Sequence, residues 1–194
     1  MTKSLDFYFD FISPYSYLAY QKIKSSKNHK EIIINYKPIL LGGLHNLGGI
    51  TAPAFNERKL KNMKNDCELI AKKNEIQFIW NTKFPLNSLY LMRGYLVIDE
   101  KIKKDFFNLC FNAYWKDNID ISNQENLNNI LENLKIDKKK FLEDIQVINI
   151  KDRLKKLTKI AFEKDIFGAP TFIVNKKIFW GQDRLEYALD EYYS

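Results

Sequence analysis

The start of the chain constrains its fold most, because a strand, a helix and a second strand follow one another within 38 residues. Residues 5–12 are rich in aromatic side chains and partly alternate, which predicts a buried strand. Ser13 is a favoured N-cap residue and Pro14 a favoured first helical residue, so a helix is predicted from Pro14. Residues 31–38 are β-branched and end in proline, which predicts a second strand. Such a βαβ unit implies parallel strands and a right-handed crossover.

The middle of the chain contains no convincing strand. The segment from Leu41 to Pro53 holds the glycine pairs 42–43 and 48–49, so a loop is predicted there. Amphipathic patterns then predict successive helices, over residues 54–74, 88–101, 103–116, 123–134, 138–146 and 151–165. We therefore expect an inserted all-helical block.

The last part of the chain returns to strands. A break at Gly168-Ala169-Pro170 precedes a hairpin predicted at residues 171–174 and 178–180, and a helix is predicted from Gly181 to about Tyr192. The two ends are expected to form one mixed sheet with helices on its faces. The predicted fold is α/β, in the order βαβ…ββα. Residues 1–45 and 166–194 would form one discontinuous domain, and 46–165 the inserted helical domain.

Charge and hydropathy exclude several classes of protein. The 194 residues include 31 Lys+Arg against 24 Asp+Glu, a net charge of +7, but only Arg58, Arg93, Arg153 and Arg184 are arginines. Guanidinium is the preferred group for phosphates and guanine edges, so we expect no nucleic-acid partner. No apolar run approaches the ~18 residues of a membrane span, and no secretory signal is visible. A cytoplasmic location is expected.

Cysteine and histidine are too sparse to suggest a disulfide or a metal site. Cys67 and Cys110 form no C-x-x-C motif and are expected to be reduced thiols on apolar helix faces. His29 and His45 are isolated from each other and from other ligands, so no metal is expected.

Two positions stand out as candidate site residues. Ser13 lies where the first strand meets the first helix, the place where ligands bind in open α/β sheets. On spacing alone, a simple helix cap is the favoured alternative. Pro170 opens a strand, where a cis bond would expose the backbone of Ala169 to a peptide-like ligand. An ordinary strand-start proline is the alternative.

Motifs spread in order over nearly the whole chain resemble those of the 2-hydroxychromene-2-carboxylate isomerases. This family belongs to the branch of the thioredoxin-like fold that includes DsbA and the kappa-class glutathione transferases. The motifs at the two ends of the chain are more specific than those of the helical block, and the first of them is Asp6-Phe-Tyr-Phe-Asp-Phe-Ile-Ser-Pro-Tyr-Ser-Tyr-Leu-Ala19. The others are Phe84-Pro-Leu-Asn-Ser88 with Met92-Arg93, Phe111-Asn-Ala-Tyr-Trp115 with Asp120-Ile-Ser122, Phe167-Gly-Ala-Pro-Thr-Phe172 and Phe179-Trp-Gly-Gln-Asp-Arg-Leu185.

The resemblance implies a glutathione-dependent enzyme in which Ser13 activates the thiol. Dithiol relatives have cysteines at positions 13 and 16, and this chain has Ser13 and Ser16, which excludes dithiol exchange there. The glutathione-binding residues implied by the resemblance are Ser13, Pro14, Tyr15, Ala169, Pro170, Trp180, Gly181, Gln182 and Asp183. For Asp183 and Trp180 the alternatives are a helix-end carboxylate and a sheet aromatic.

The second substrate is expected between the sheet and the helical insertion. Candidate contacts there are Lys59, Asn87, Arg93 and Trp115, with exposed salt-bridge partners as the alternative for Lys59 and Arg93. The family often has Gly-Asn-x-Pro near this loop, and the segment 49–53 lacks that asparagine, which puts the identity of the substrate and one glutathione contact in doubt.

The function implied by the resemblance is reversible thiolate addition to a conjugated aromatic acid, in aromatic catabolism. A homodimer is implied as well. Two alternatives stay open. A kappa-like glutathione transferase or peroxidase would consume the thiol, and a non-catalytic thioredoxin-like module would bind a peptide at the proline edge.

Overall fold

The computed structural model describes residues 3–25 and 32–194. The N-terminal unit has β1 at Leu5–Phe9, α1 at Pro14–Ser25 and β2 at Ile34–Pro38. β1 and β2 pair in parallel, with Phe7 opposite Tyr36. This confirms the predicted βαβ unit. His29 and residue 31, the predicted first residue of the second strand, lie outside the described residues.

Helices fill the middle of the chain. They are α2 (Leu41–Leu47), α3 (Glu57–Lys73), α4 (Leu89–Val97), α5 (Glu100–Trp115), α6 (Gln124–Asn133), α7 (Lys138–Asp144) and α8 (Ile148–Phe162). Four of them begin after a residue whose side chain accepts a hydrogen bond from a backbone N–H of the first turn: Asn56 for α3, Asp99 for α5, Asn123 for α6 and Asp137 for α7. The helical character of this segment agrees with its amphipathic pattern.

The loop predicted from Leu41 is wrong at residues 41–47, which form α2. Two glycines weaken helix propensity, but tertiary hydrogen bonds at the start of this helix offset that weakness. The Leu40 N–H donates to Thr158 Oγ1 at 2.9 Å, and the Leu41 N–H donates to Asp10 Oδ2 at 2.8 Å. Neither partner is near α2 in sequence, so local pattern gave no sign of the helix.

The C-terminal part completes the sheet. β3 (Thr171–Val174) and β4 (Lys177–Trp180) form an antiparallel hairpin, and β3 also pairs antiparallel with β1. The strand order is β2-β1-β3-β4. A single 3₁₀ turn at Gln182–Arg184 then precedes α9 at Leu185–Tyr193, so the last helix begins four residues later than predicted. The α/β class and the mixed sheet are confirmed.

Aromatic residues of β1 and the residues after it form the centre of the core. Phe7, Phe9 and Phe11 are fully buried on one face, and Phe9 contacts Phe107 of α5 with ring centroids 4.7 Å apart. Aromatic pairs of this kind add about 0.5–1.5 kcal/mol beyond area burial. The core therefore joins the sheet to the helical segment, and the division at residues 46 and 165 stays a prediction.

Within the described ranges, no helix is both long enough and apolar enough to cross a bilayer.

Candidate active site

Ser13 is positioned by the end of β1 and the start of α1. Its N–H donates to Asp10 O at 3.0 Å, and its own carbonyl accepts the N–H of Tyr17. Its Oγ accepts the Ser16 N–H at 3.1 Å, so Ser13 does cap α1. The same hydroxyl donates to Ala169 O at 2.8 Å. Ser13 therefore joins the first helix to the segment before β3, which a cap alone would not do.

Ala169 precedes a cis proline at position 170. The Pro170 carbonyl accepts the Gly181 N–H at 2.9 Å, which ties this segment to the end of β4. Gly168 packs so closely on Trp180 that a Cβ at residue 168 would lie 2.5 Å from the indole Nε1. The segment before β3 and the aromatic end of β4 are thus held together.

Asp10 lies behind Ser13, fully buried at the end of β1. Its carboxylate accepts N–H groups from Leu41 at 2.8 Å and Ile12 at 3.1 Å, and it also hydrogen-bonds the Ser88 side chain. Burial raises the pKa of Asp10 to about 6, although these hydrogen bonds oppose the rise. Asp10 thus binds three segments of chain.

A cavity of about 520 Å³ opens in front of Ser13. Its lining is mainly apolar. Among the residues that the resemblance implied, the lining includes Ser13, Pro14, Tyr15, Lys59, Asn87, Ala169 and Trp180. The structure therefore brings most of the candidate glutathione-binding residues, and two of the candidate substrate contacts, to one cavity.

The aromatic side chains at the mouth of the cavity are partly exposed. Trp180 is 52% exposed and Phe167 44%, with ring centroids 4.7 Å apart. Phe55, which also lines the cavity, is 77% exposed. Exposed aromatic rings beside an apolar cavity suit a planar organic ligand.

The remaining candidate glutathione-binding residues lie just beyond the cavity wall. Gly181 has φ of 107°, a conformation that suits glycine, and a Cβ there would lie 2.5 Å from Asp183 Oδ1. Gln182 is buried and accepts a hydrogen bond from Lys22 Nζ. Asp183 is exposed and pairs with Arg184.

Two predicted substrate contacts are placed elsewhere by the structure. Trp115 is fully buried, and its Nε1 donates to Phe11 O at 2.9 Å, so its indole belongs to the core. Arg93 lies in α4 and is not among the residues that line the cavity. Both sit in motifs shared with the family, and sequence alone does not tell a core position from a contact.

His45 also lines the cavity, although no sequence motif marks it as a site residue. It lies in α2, the helix found where the glycine pairs predict a loop. Burial lowers the pKa of His45 below its ordinary value.

Neither cysteine belongs to the site. Cys67 and Cys110 are both free and buried, and burial raises the pKa of each thiol far above its usual range. This agrees with their predicted state as reduced thiols on apolar faces. No group of three or more metal-binding side chains occurs in the residues that the structure covers.

The fold, the helix-capping serine and the cis proline define a thioredoxin-like protein with no cysteine pair at its site. The family described as a DSBA-like thioredoxin domain matches residues 4–193. A 2-hydroxychromene-2-carboxylate isomerase from Sphingobium xenophagum is 30% identical over 189 residues, covering 96% of each chain. A solved 2-hydroxychromene-2-carboxylate isomerase structure has a TM-score of 0.86 and 27% identity, over 96% of this chain and 92% of the other.

Glutathione S-transferase kappa 1 from Homo sapiens is similar as well, at 24% identity over 96% of this chain and 89% of the human protein. The chain belongs to the DsbA-like thioredoxin family and, within it, to the 2-hydroxychromene-2-carboxylate isomerase family. The resemblance seen in the motifs is confirmed. The protein is an enzyme of the isomerase or glutathione S-transferase type.

Proposed function

We propose that this enzyme is a glutathione-dependent isomerase of the 2-hydroxychromene-2-carboxylate type, acting on a conjugated aromatic acid. The observation that carries the proposal is the hydrogen bond from Ser13 Oγ to the carbonyl of Ala169, in the wall of an apolar cavity. The names of the relatives in the same family support it.

The residues around Ser13 fit glutathione. Ala169 lies before a cis proline at the cavity wall, where its backbone can pair with the cysteinyl unit as an added strand would. Trp180 lines the same cavity, and Gly181, Gln182 and Asp183 follow it directly. The exposed Asp183 carboxylate suits the α-ammonium of the γ-glutamyl end. When bound, glutathione supplies a thiolate that adds reversibly to a conjugated double bond.

Ser13 has the means to stabilise that thiolate. Lowering a thiol pKa from ~8.5 to ~7 requires about 2 kcal/mol of selective stabilisation. A hydrogen bond to a charged group contributes about 1.5–3 kcal/mol, and a helix N-terminus about 0.3–2 kcal/mol. Ser13 is at the first turn of α1, so both contributions apply and together suffice.

The Ser13 hydroxyl must change partner to do this. It has one proton, and that proton is directed at Ala169 O. A ligand N–H donated to Ala169 O would replace the serine as donor. The hydroxyl is then released to donate to the sulfur, while the Ser16 N–H continues to hold the serine oxygen in place.

The rest of the cavity suits an aromatic acid. Lys59 is exposed, lines the cavity and makes no ion pair with any residue in the described ranges, so its ammonium is free for a carboxylate. Asn87 offers an amide at the same wall. The apolar lining would exclude water from the ring system.

The test is isomerisation of 2-hydroxychromene-2-carboxylate, followed optically with and without glutathione. We expect turnover that requires glutathione and falls at least about a hundredfold in Ser13→Ala. Turnover that is indifferent to glutathione or to this substitution would disprove the proposal.

A kappa-type transferase is the second candidate, favoured by the similarity to the human enzyme along nearly the whole chain. It differs in consuming the thiol. Loss of one free thiol per electrophile converted would favour the transferase, and constant thiol during turnover the isomerase. A peptide-binding module without catalysis predicts neither outcome and no thermal stabilisation by glutathione.

We further propose a cytoplasmic homodimer. Glutathione is abundant and reduced in the cytosol, which is where a glutathione-dependent enzyme is expected to work. Cell fractionation tests the location, and light scattering after size exclusion tests the dimer.

A further inference from the structure

A histidine of α2 faces the cavity that Ser13 lines. Leu41 and His45 are four residues apart, so they share one face of the helix, and both line the cavity. Gly42 lies between them and also lines it, with no atom within 4 Å of where its Cβ would be. The cavity is therefore open beside His45.

The position of α2 is fixed relative to Ser13. Asp10 accepts one hydrogen bond from Ile12 N, next to Ser13, and another from Leu41 N, the first residue of α2. Thr158 of α8 accepts a further hydrogen bond from Leu40 N. A fully buried carboxylate thus sets the spacing between the serine and the histidine helix.

The ring of His45 is not used to hold the fold together. Its Nδ1 is buried and makes no hydrogen bond to any residue that the structure describes. Buried side-chain polar atoms are usually paired when their role is structural. Burial also lowers the pKa of the imidazole, which favours its neutral form. The other ionisable residues of the lining are committed or charged, since the Tyr15 hydroxyl donates to Asp66 and Lys59 is a cation.

We propose that His45 is a catalytic residue that moves a proton between two oxygens of the substrate; this inference rests on the proposed function. In 2-hydroxychromene-2-carboxylate, C2 carries both a hydroxyl and the ring oxygen. Opening the ring therefore moves one proton from the hydroxyl to the ring oxygen.

The step balances on neutral His45. The imidazole takes the hydroxyl proton as the C2=O bond forms and the bond from C2 to the ring oxygen breaks, with its electron pair left on that oxygen. The imidazolium then returns the proton to the phenolate oxygen. Nothing is oxidised or reduced, and His45 ends neutral. Closing the ring is the reverse.

The first experiment uses protein without glutathione, which separates ring opening from thiol chemistry. Exchange between the closed chromene and the opened cis acid is measured by NMR magnetisation transfer. We expect wild-type protein to accelerate exchange, and His45→Gln to lose at least about tenfold of that acceleration. Leu47→Ala, on α2 but outside the cavity lining, is the control and should match wild type.

A second measurement needs no variant of the site. The chain has two histidines, so a spectrum of His29→Gln assigns the imidazole NMR signals. Chromone-2-carboxylate, an unreactive analogue, should shift the His45 signal. In a third, separate experiment, imidazole added to His45→Ala should restore part of the lost exchange.

The outcomes separate the two proposals. Full exchange activity in His45→Gln, or a His45 signal unmoved by bound analogue, would overturn the role of His45 and leave glutathione-dependent isomerisation intact. Wild-type protein that neither binds the analogue nor needs glutathione would overturn both.

Discussion

Ser13 Oγ donates a 2.8 Å hydrogen bond to the carbonyl oxygen of Ala169, although 156 positions separate the two residues. The first turn of α1 and the cis-proline segment are therefore one unit. A ligand that pairs with Ala169 changes the hydrogen bonding of Ser13 at the same time. Under the proposed function, this contact would couple recognition of the glutathione backbone to activation of its sulfur.

Ser13→Ala should raise the pKa of the glutathione thiol in the complex by about one to two units, because a hydrogen bond to the thiolate contributes about 1.5–3 kcal/mol. The ultraviolet absorbance of the thiolate, titrated against pH in the complex, measures this. Glutathione bound to Ser13→Ala with the wild-type thiol pKa would contradict the assigned role.

Ser16→Ala is the matched control, and it should leave that thiol pKa unchanged. Ser16 Oγ is buried and has no hydrogen-bond partner among the described residues, whereas the Ser16 N–H that contacts Ser13 is backbone. Removing an unpaired buried hydroxyl should leave the free energy of unfolding unchanged or raise it by about 1 kcal/mol. Urea denaturation tests this, and a loss of stability would reveal a partner for the hydroxyl.

Asp10→Asn should change how stability depends on pH. The folded pKa of Asp10 is about 6 against an ordinary 3.8, so the folded protein holds this proton more tightly than the unfolded chain. The contribution is complete below the unfolded pKa and is lost as pH rises through 6, an effect of about 3 kcal/mol.

Because Asn does not titrate, the unfolding free energy of Asp10→Asn should gain on that of wild type by this amount as pH rises. Urea denaturation of both proteins across this pH range makes the comparison, and other carboxyl groups cancel. Parallel pH profiles would show that Asp10 titrates normally.

Gly94→Ala should destabilise the protein by about 1–3 kcal/mol. The new Cβ would lie 2.6 Å from Phe141 Cζ and 3.1 Å from Phe106 Cζ, and both rings are buried. Gly42→Ala is the comparison, since its Cβ meets nothing and Ala favours the helix by about 0.5–1 kcal/mol. Thermal unfolding should shift in opposite directions, and equal shifts would mean that α4 moves to admit the methyl group.

Trp115→Phe should lower the stability of the protein without changing its substrate binding. The fully buried indole fills the core, and its Nε1 satisfies Phe11 O. Losing that volume and that hydrogen bond should cost about 2–4 kcal/mol. KM should stay within about twofold, because substrate cannot reach the ring. A large rise in KM with unchanged stability would restore Trp115 as a substrate contact.

The sheet was predictable because its signals are local. Alternating aromatics mark β1, and the Ser13-Pro14 pair marks the helix that follows it. Helix α2 was not, since its glycines indicate a loop and the groups that hold it, Asp10 and Thr158, are distant in sequence. Hydrogen bonds between remote segments leave no periodic pattern.

In the candidate site, too, local sequence predicts some of the features and not others. Ser13 is marked in the sequence by its place before Pro14 at a helix start, and Ala169 by the proline after it, which marks a strand start. Their contact, and the exclusion of Trp115 from the cavity, depend on how the insertion packs on the sheet. The place of His45 at the cavity could not be predicted from the sequence, because the helix that carries it, α2, could not be predicted either.

The burial of both cysteines has a consequence for how an enzyme with the proposed glutathione cofactor would withstand oxidation of that cofactor. Thiols that stay protonated and inaccessible cannot exchange with oxidised glutathione, so the protein is not captured as a mixed disulfide when the cellular pool turns oxidising. Under the proposed function, all the reactive sulfur would arrive with glutathione and depart with it. Alkylating reagents should therefore spare the folded enzyme while inactivating its supply of thiol.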